Sequence, residues 1–268
     1  MMPYRHLTAD RPVGIVASIP HTGTWLPDEI RARLASDAMR ALPMTDWHLH
    51  ALYDFLPRLG VPVVHATVSR FAGDLNRSPE PLALYPGRVE TGVIPQQTFW
   101  GDAVWAEPPT DAETARWIAE WHRPYHARLF EAVEQARAAF GRVLLLDLHS
   151  VAGRANVIHA ELEYDIYLGD RDGTSCAPEF TDAFERAYRD DGLRVVRNAP
   201  YKGGFITHHY GQLHGVDALQ VEMVQRVYMD EARPEGAVDA PLFGAARARL
   251  ERVFNAVIEG LQAGGAWG

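Results

Sequence analysis

The chain has a single cysteine, Cys176, among 268 residues. One thiol excludes an internal disulfide and any cysteine-rich zinc site, and it suits a reducing compartment. Cys176 lies in the loop-like run Gly173-Thr174-Ser175-Cys176-Ala177-Pro178, where no neighbour in sequence supplies a base to activate it. Long apolar runs are missing too: no window approaches the roughly 18 residues a membrane span needs. The opening Met-Met-Pro-Tyr-Arg-His lacks the apolar region of a signal peptide. A cytoplasmic protein that engages no membrane is expected. Positive charge is scarce, since 26 Lys and Arg against 35 Asp and Glu leave a net charge of −9. That balance argues against a nucleic-acid binder, which would normally carry a basic face. No repeat, low-complexity tract or linker divides the chain.

What is present is enough apolar residue, 47%, to bury a full core in one domain spanning residues 1–268. The run Val143-Leu144-Leu145-Leu146-Asp147-Leu148-His149-Ser150 reads as a strand buried on both faces that ends in polar residues. Further strands are expected at Val13 to Ile19, Val61 to Val68, within Ala155 to Leu168, at Leu193 to Arg197 and at Ala218 to Val224. Helical spacing predicts a short helix over Pro27 to Ala38 and one capped by Thr45 or Asp46 that stops at Pro57. It also predicts a long amphipathic helix over Asp111 to Phe140 and helices over 179–190 and 240–263. The Pro/Gly-rich connection from Ser78 to Trp105 is long enough to suggest a lid or binding loop. Strands alternating with helices imply an α/β fold with a largely parallel or mixed sheet covered on both faces.

Candidate chemistry collects at the strand ends, where ligands bind in open α/β sheets. Asp147 and His149, two apart on a strand, project on one face; they suit a metal site, a proton-transfer site, or a core histidine bonded to an acid. His21 follows the first of the expected strands in a Pro/Gly turn and is placed to be a ligand, a base or a solvent-facing turn residue. His48 and His50 point in different directions from a helix and read as structural. His122 and His126 stand at i, i+4, but the glutamate of a His-Glu-x-x-His motif is absent and Pro124 interrupts the turn. Ser69 to Arg77 carries Arg70, Asn76 and Arg77 with little bulk, either an anion clamp or a pair of surface salt bridges. Gly203 to Gly211 is a glycine-bracketed polar loop without the spacing of a phosphate loop. Glu222, an acid inside an apolar strand, is costly unless paired or used, and desolvation would raise its pKa toward that of a general base.

Seven segments occur in order: Ser-Ile-Pro-His-Thr-Gly at 18–23, Thr-Asp-Trp-His at 45–48, Ser-Arg-Phe-Ala-Gly-Asp-Leu-Asn-Arg at 69–77, Asp-Leu-His-Ser at 147–150, Asp-Gly-Thr-Ser-Cys at 172–176, Lys-Gly-Gly-Phe-Ile-Thr-His-His-Tyr-Gly at 202–211 and Ala-Leu-Gln-Val-Glu-Met at 218–223. The series resembles the N-formylglutamate amidohydrolase family of histidine catabolism. The resemblance runs from about residue 12 to 255, and the family is similar in turn to succinylglutamate desuccinylase, aspartoacylase and the zinc carboxypeptidases. It implies a three-layer α/β/α fold with one catalytic zinc. The metal ligands it implies are His21, His149 and an acid, Asp46 with Asp147 as the alternative, because the position three after His21 is Thr24 rather than a glutamate. It further implies Glu222 as general base and Arg70 as the group that polarises the scissile carbonyl. Asn76 and Arg77, joined by Lys202 and His209, would hold the substrate. The family pattern in this resemblance has Arg-His-Tyr-Gly where this chain has His208-His209-Tyr210-Gly211, which bears on the substrate's second carboxylate.

The expected reaction is metal-assisted hydrolysis of a small-molecule N-formyl amino acid, with N-formyl-L-glutamate giving formate and L-glutamate. Rival readings are hydrolysis of a different N-acyl amino acid, a metal-independent hydrolase using Cys176 or Ser150, and a non-catalytic carboxylate binder that keeps the arginine clamp.

Overall fold

The structure, a computed structural model, describes residues 2–80 and 91–267. Seven strands, β1 (Tyr4–Leu7), β2 (Ile15–Ile19), β3 (Val63–Ala66), β4 (Val143–Val151), β5 (Ile166–Gly169), β6 (Val195–Arg197) and β7 (Val216–Val224), form one sheet in the order β1-β3-β2-β4-β7-β5-β6. β3, β2, β4 and β7 run parallel side by side, β1 pairs antiparallel with β3, and β5 pairs antiparallel with β7 but parallel with β6. The mixed, mostly parallel sheet expected of an α/β chain is therefore present.

Strand periodicity sorts the side chains into two cores. Leu144, Leu146 and Leu148 of β4 and Leu219, Val221 and Met223 of β7 point into the larger cluster. There they meet α3 (Leu49–Leu52), α6 (Pro178–Asp190) and α8 (Pro241–Ala263). Val143, Leu145, Val216 and Ala218 face the opposite way, against α5 (Arg123–Phe140) and α7 (Phe205–Tyr210). Helices thus cover both faces, giving three layers. The same period-two alternation puts Asp147, His149, Gln220 and Glu222 on the α5/α7 side, one step beyond the apolar residues of their strands. The sheet order then sets the C-terminal ends of β3, β2, β4 and β7 in a row, and the connections leaving them carry the residues singled out above.

Several expected elements differ from those formed. Pro27 to Ala38 is not one helix: α1 (Asp28–Arg31) stops early, Leu34 makes an isolated bridge to Trp105, and Ser36 starts α2 (Asp37–Arg40) by accepting from Met39 N. Tertiary pairing here overrides helical spacing. The helix after Thr45 shrinks to α3, entered from His48 at φ 58°, and Pro57 falls within a separate 3-10 turn, Leu56–Leu59. Asp46 caps nothing, because its carboxylate is engaged elsewhere. Strand β1, short and polar at the sheet edge, has no clear alternation to reveal it. The strands in 61–68 and 155–168 are shorter than expected. Asp111 to Phe140 does form a continuous helical rod, as α4 (Asp111–Trp117) with a Thr110 capping box, a π turn (Ile118–His122) and α5. Gly203 to Gly211 is mostly helix α7, not a loop. Of the long connection from Ser78 to Trp105, residues 81–90 lie outside the described residues. Among the described residues no helix is long and apolar enough to cross a membrane.

Candidate metal centre and active site

Each turn leaving the parallel strands is shaped to present one polar group. β2 ends at Pro20, and the following His21 turn crosses the exit of β3 so closely that a Cβ on Gly23 would lie 2.3 Å from the Val68 carbonyl oxygen. Glycine is required there by close approach alone. Asp46 is fixed in its loop by its backbone N–H, which donates to His21 O at 3.1 Å, and by Gln225, whose amide donates to Thr45 O at 3.0 Å. Asp46 Oδ2 in turn accepts from Ser150 N at 3.1 Å.

His21, Asp46 and His149 are buried together, and each offers a ligand atom within 4.8 Å of the others. Their orientation is specific. Asp46 Oδ2 lies 3.0 Å from His149 Nδ1 and 3.8 Å from His21 Nδ1. The Nε2 atoms point the other way, each to its own carboxylate: His21 Nε2 is 2.7 Å from Asp74 Oδ1, and His149 Nε2 is 3.0 Å from Asp147 Oδ1. With an ion at the two Nδ1 atoms, each Nε2 would carry its ring's hydrogen and face a carboxylate, the arrangement by which metal-binding histidines are oriented. Two imidazoles and one carboxylate are the donor set of a catalytic zinc site with an open position. The residues present fit such an ion, and Asp147, on the far side of the His149 ring, stands as its support.

The acids behind the rings are themselves held. Asp74 is fully buried; its Oδ2 accepts from Arg70 Nη2 at 2.5 Å and its Oδ1 from Asn76 N at 2.9 Å. Burial opposes its charge, but Arg70, His21 and Arg77 keep it well below the usual carboxylate range. Asp147 Oδ2 accepts from Asn76 Nδ2 at 3.2 Å and from Thr207 Oγ1 at 3.3 Å. Burial would lower His149, but Asp147 and Asp46 beside it hold it well above its ordinary value. Burial and Arg70 keep His21 low against the pull of Asp74 and Asp46.

A cavity of about 490 Å³ opens onto this group. Glu222 lines it from β7, in register with His149 on β4, and accepts from Gln220 Nε2 at 3.3 Å. Burial first, then Asp46 and Asp147, pushes its carboxyl up to about 8, against His149 and Arg70. Arg70 lines the same wall. It donates to Asp74 and, from Nη1, to Met44 O at 3.3 Å, while its buried Nε has no partner. Arg70 is therefore a buried member of the site and not a surface salt bridge. Arg77 donates only to backbone, from Nε to Thr91 O at 2.9 Å and from Nη1 to Asn76 O at 2.8 Å, and forms no ion pair with a carboxylate among the described residues. Phe99 and Trp100 also line the cavity with Asn156, Val157 and Ile158; the Arg70 guanidinium lies 5.4 Å over the Phe99 ring, and Val157 N donates to Phe99 O at 3.0 Å.

Three expectations for the binding residues need adjustment. Asn76 lines the cavity, but its amide is engaged at both ends: Oδ1 accepts from Ile206 N at 2.7 Å, and Nδ2 lies 3.2 Å from Asp147 Oδ2 and 2.9 Å from His149 Nε2. Gly204 leaves room for it, since a Cβ there would lie 2.5 Å from Asn76 Nδ2. Lys202 sits at the rim and pairs with Asp172 at 2.6 Å. His209 does not reach the cavity: helix α7 turns it to stack on Phe205, with centroids 5.1 Å apart. The other histidines stay outside the metal group. His48 lies 2.7 Å from Pro234 O through Nε2 and His50 2.8 Å from Thr22 Oγ1 through Nδ1, both structural contacts. Cys176 is buried and is not among the residues lining the cavity, and burial and Asp217 push its thiol up. Ser150 Oγ bonds the Tyr228 hydroxyl at 2.9 Å and lies 3.4 Å from Gln225 Nε2, and no histidine is among its hydrogen-bond partners.

Sequence reasoning gave no role to Asp74, Gln220 or Tyr201. Asp74 had a usable signal, an acid four residues after Arg70 in the run leaving a strand. Tyr201 reaches the cavity only through the fold of the chain after β6.

A model of the N-formylglutamate amidohydrolase family matches residues 13–229. An N-formylglutamate deformylase of Pseudomonas putida is 37% identical over 224 residues, which covers 82% of this chain and 83% of the relative. One from Pseudomonas aeruginosa is 36% identical over 260 residues, covering 96% and 94%. Among solved structures, an N-formylglutamate amidohydrolase from Ralstonia eutropha JMP134 superposes with a TM-score of 0.83 at 31% identity, over 98% of this chain and 100% of the other. A gene product of Agrobacterium tumefaciens, 20% identical with a TM-score of 0.71 over 96% and 95%, shares the fold.

Proposed function

The chain belongs to the N-formylglutamate amidohydrolase family, and from that premise we propose that it hydrolyses N-formyl-L-glutamate to formate and L-glutamate with one zinc ion held by His21, Asp46 and His149. The observation that carries this reading is the pairing of orientations: both Nδ1 atoms face Asp46 Oδ2 in a cavity that Glu222 and Arg70 also line. When bound, zinc would supply positive charge that polarises the scissile carbonyl and a water that ionises near neutral pH.

The chain's own residues do the rest. Asp74 and Asp147 lie behind the Nε2 atoms of His21 and His149 and, with the ion in place, would hold both rings with Nδ1 toward it. Glu222, in a desolvated position, takes the proton of the attacking water and delivers it to the leaving amine. Arg70 Nε, the unpartnered buried donor, stabilises the oxyanion that develops on the former carbonyl, an interaction worth about 3–4 kcal/mol when well aimed. Arg77, which forms no ion pair among the described residues, binds the α-carboxylate, and Lys202 at the rim contributes charge nearby. Asn76 supports this wall by holding Asp147 and His149 in place.

Formate release from N-formyl-L-glutamate, compared with N-acetyl- and N-succinyl-L-glutamate, tests the assignment. A steep preference for formyl is expected. Activity on the longer acyl groups without activity on formyl would overturn it.

A further inference from the structure

The pair at i, i+4 in Trp121-His122-Arg123-Pro124-Tyr125-His126 takes no part in the metal group, yet its two rings stack with centroids 4.3 Å apart and bracket Asn76. His126 Nε2 reaches Leu75 O at 2.8 Å, and His122 Nε2 reaches Arg77 O at 2.9 Å. A carbonyl oxygen only accepts, so each Nε2 carries the hydrogen. On the other side, α7 supplies backbone N–H groups: Phe205 N donates to Asn76 O at 3.4 Å and Ile206 N to Asn76 Oδ1 at 2.7 Å. Three successive carbonyls, those of Leu75, Asn76 and Arg77, are thus all held.

We propose that His122 and His126 are positioning residues that clamp the Leu75–Arg77 backbone and thereby aim Arg77 and the Asn76 amide at the active-site cavity. The proposal rests on the reading of Arg77 as the carboxylate anchor. The local helix geometry suits the task. The single π turn, Ile118–His122, ends where the clamp begins, just before Pro124, which lacks an N–H for a regular helical bond. The π turn keeps Trp117 and Trp121 in their own apolar cluster while Tyr125 packs in another, with the histidines turned toward the 75–77 loop. His126 Nδ1 lies 3.2 Å from the Tyr210 hydroxyl, which fixes the ring from behind. Burial keeps both imidazoles low, His126 at about 3, so the pair stays neutral and keeps one tautomer near neutral pH.

Calorimetric titration of L-glutamate into the zinc-saturated protein, with parallel formate-release kinetics, tests the clamp. In H122F and H126F the ring remains but the donor is lost, and Kd and KM should each rise about tenfold, the effect of one hydrogen bond of about 1.4 kcal/mol. Changes in kcat should be smaller. H122Q and H126Q, whose amide nitrogen reaches as far as Nε2, should recover most of the loss; a role in packing alone predicts no such rescue. Wild-type glutamate affinity in the phenylalanine variants overturns the clamp whatever R77A does. Unchanged affinity in R77A, beside a loss in the phenylalanine variants, refutes the anchor reading and leaves the clamp. Imidazole 15N shifts of the wild type decide the matter even where variants fail to fold. Two Nε2–H rings are expected, and a neutral Nδ1–H ring at either position overturns the proposal.

Discussion

Replacing Asp74 with asparagine removes one charge from a place where three groups depend on it. The side chain is fully buried and meets Arg70 Nη2 at 2.5 Å, His21 Nε2 at 2.7 Å and Asn76 N at 2.9 Å. An asparagine oxygen can still accept from His21 and Asn76, but its NH₂ then faces the Arg70 guanidinium, donor against donor. Arg70 is left as an uncompensated buried charge. Breaking a buried pair from one side costs about 3–5 kcal/mol, and loss of a carboxylate behind a metal-binding histidine costs roughly 10–100-fold in metal affinity. Urea unfolding of metal-free protein should show the first loss, and competition titration with a zinc chelator the second. The pH dependence fixes the sign. The folded carboxyl of Asp74 is held below its ordinary 3.8, so its stabilisation is present above that value and is lost as pH falls through the depressed one. The gap between wild type and D74N should therefore narrow in strong acid. A D74N protein within about 1 kcal/mol of wild type near neutral pH, with unchanged zinc affinity, would refute the reasoning.

Other outcomes follow from the same geometry. Glu222→Gln should retain zinc and lower kcat by roughly 10²–10⁴-fold, with loss of the acid limb of the pH profile; near-normal turnover would remove Glu222 as the base. Arg77→Ala should raise KM for N-formylglutamate roughly 10–100-fold, the range expected for a charged hydrogen-bonded contact, with a smaller effect on kcat. Across about pH 5 to 8 the metal-free protein should lose stability relative to metal-free Glu222→Gln, because the folded Glu222 carboxyl stays protonated up to about 8 while the unfolded chain ionises above its ordinary 4.5. A gap in melting temperature between the two that stays constant over the range would contradict it. Cys176→Ala should leave formate release unchanged, and abolished activity would restore the thiol as a nucleophile.

The sheet and its site were legible in sequence wherever the pattern was strong and the chemistry local. The apolar run at 143–148 and the acid inside 218–224 marked two buried strands, and period-two alternation alone placed Asp147 and His149 on one face. Elements set by tertiary contacts were not legible. Leu34 and Ser36 break an apparent helix through a bridge and a cap, and α7 forms where glycines suggested a loop. At the site, residue types identified candidates but not orientation. The resemblance puts Asp46 ahead of Asp147 with the second left open, and the direction of the His149 ring sets them apart, Asp46 at Nδ1 and Asp147 at Nε2. Asp74 escaped notice because its role depends on His21 and Arg70 meeting it from different turns. Asn76 seemed free to bind substrate because nothing in the sequence brings Ile206 N and Asp147 to its amide.

The central claim is that His21, Asp46 and His149 hold the ion on which formyl hydrolysis depends. Metal analysis of the purified protein, coupled to formate release from N-formyl-L-glutamate before chelation, after it, and after zinc is restored, tests it most directly. The account predicts about one zinc per chain, activity lost with the metal and recovered on its return, and neither binding nor recovery in a D46A variant. Full formate release from protein stripped of metal would contradict it.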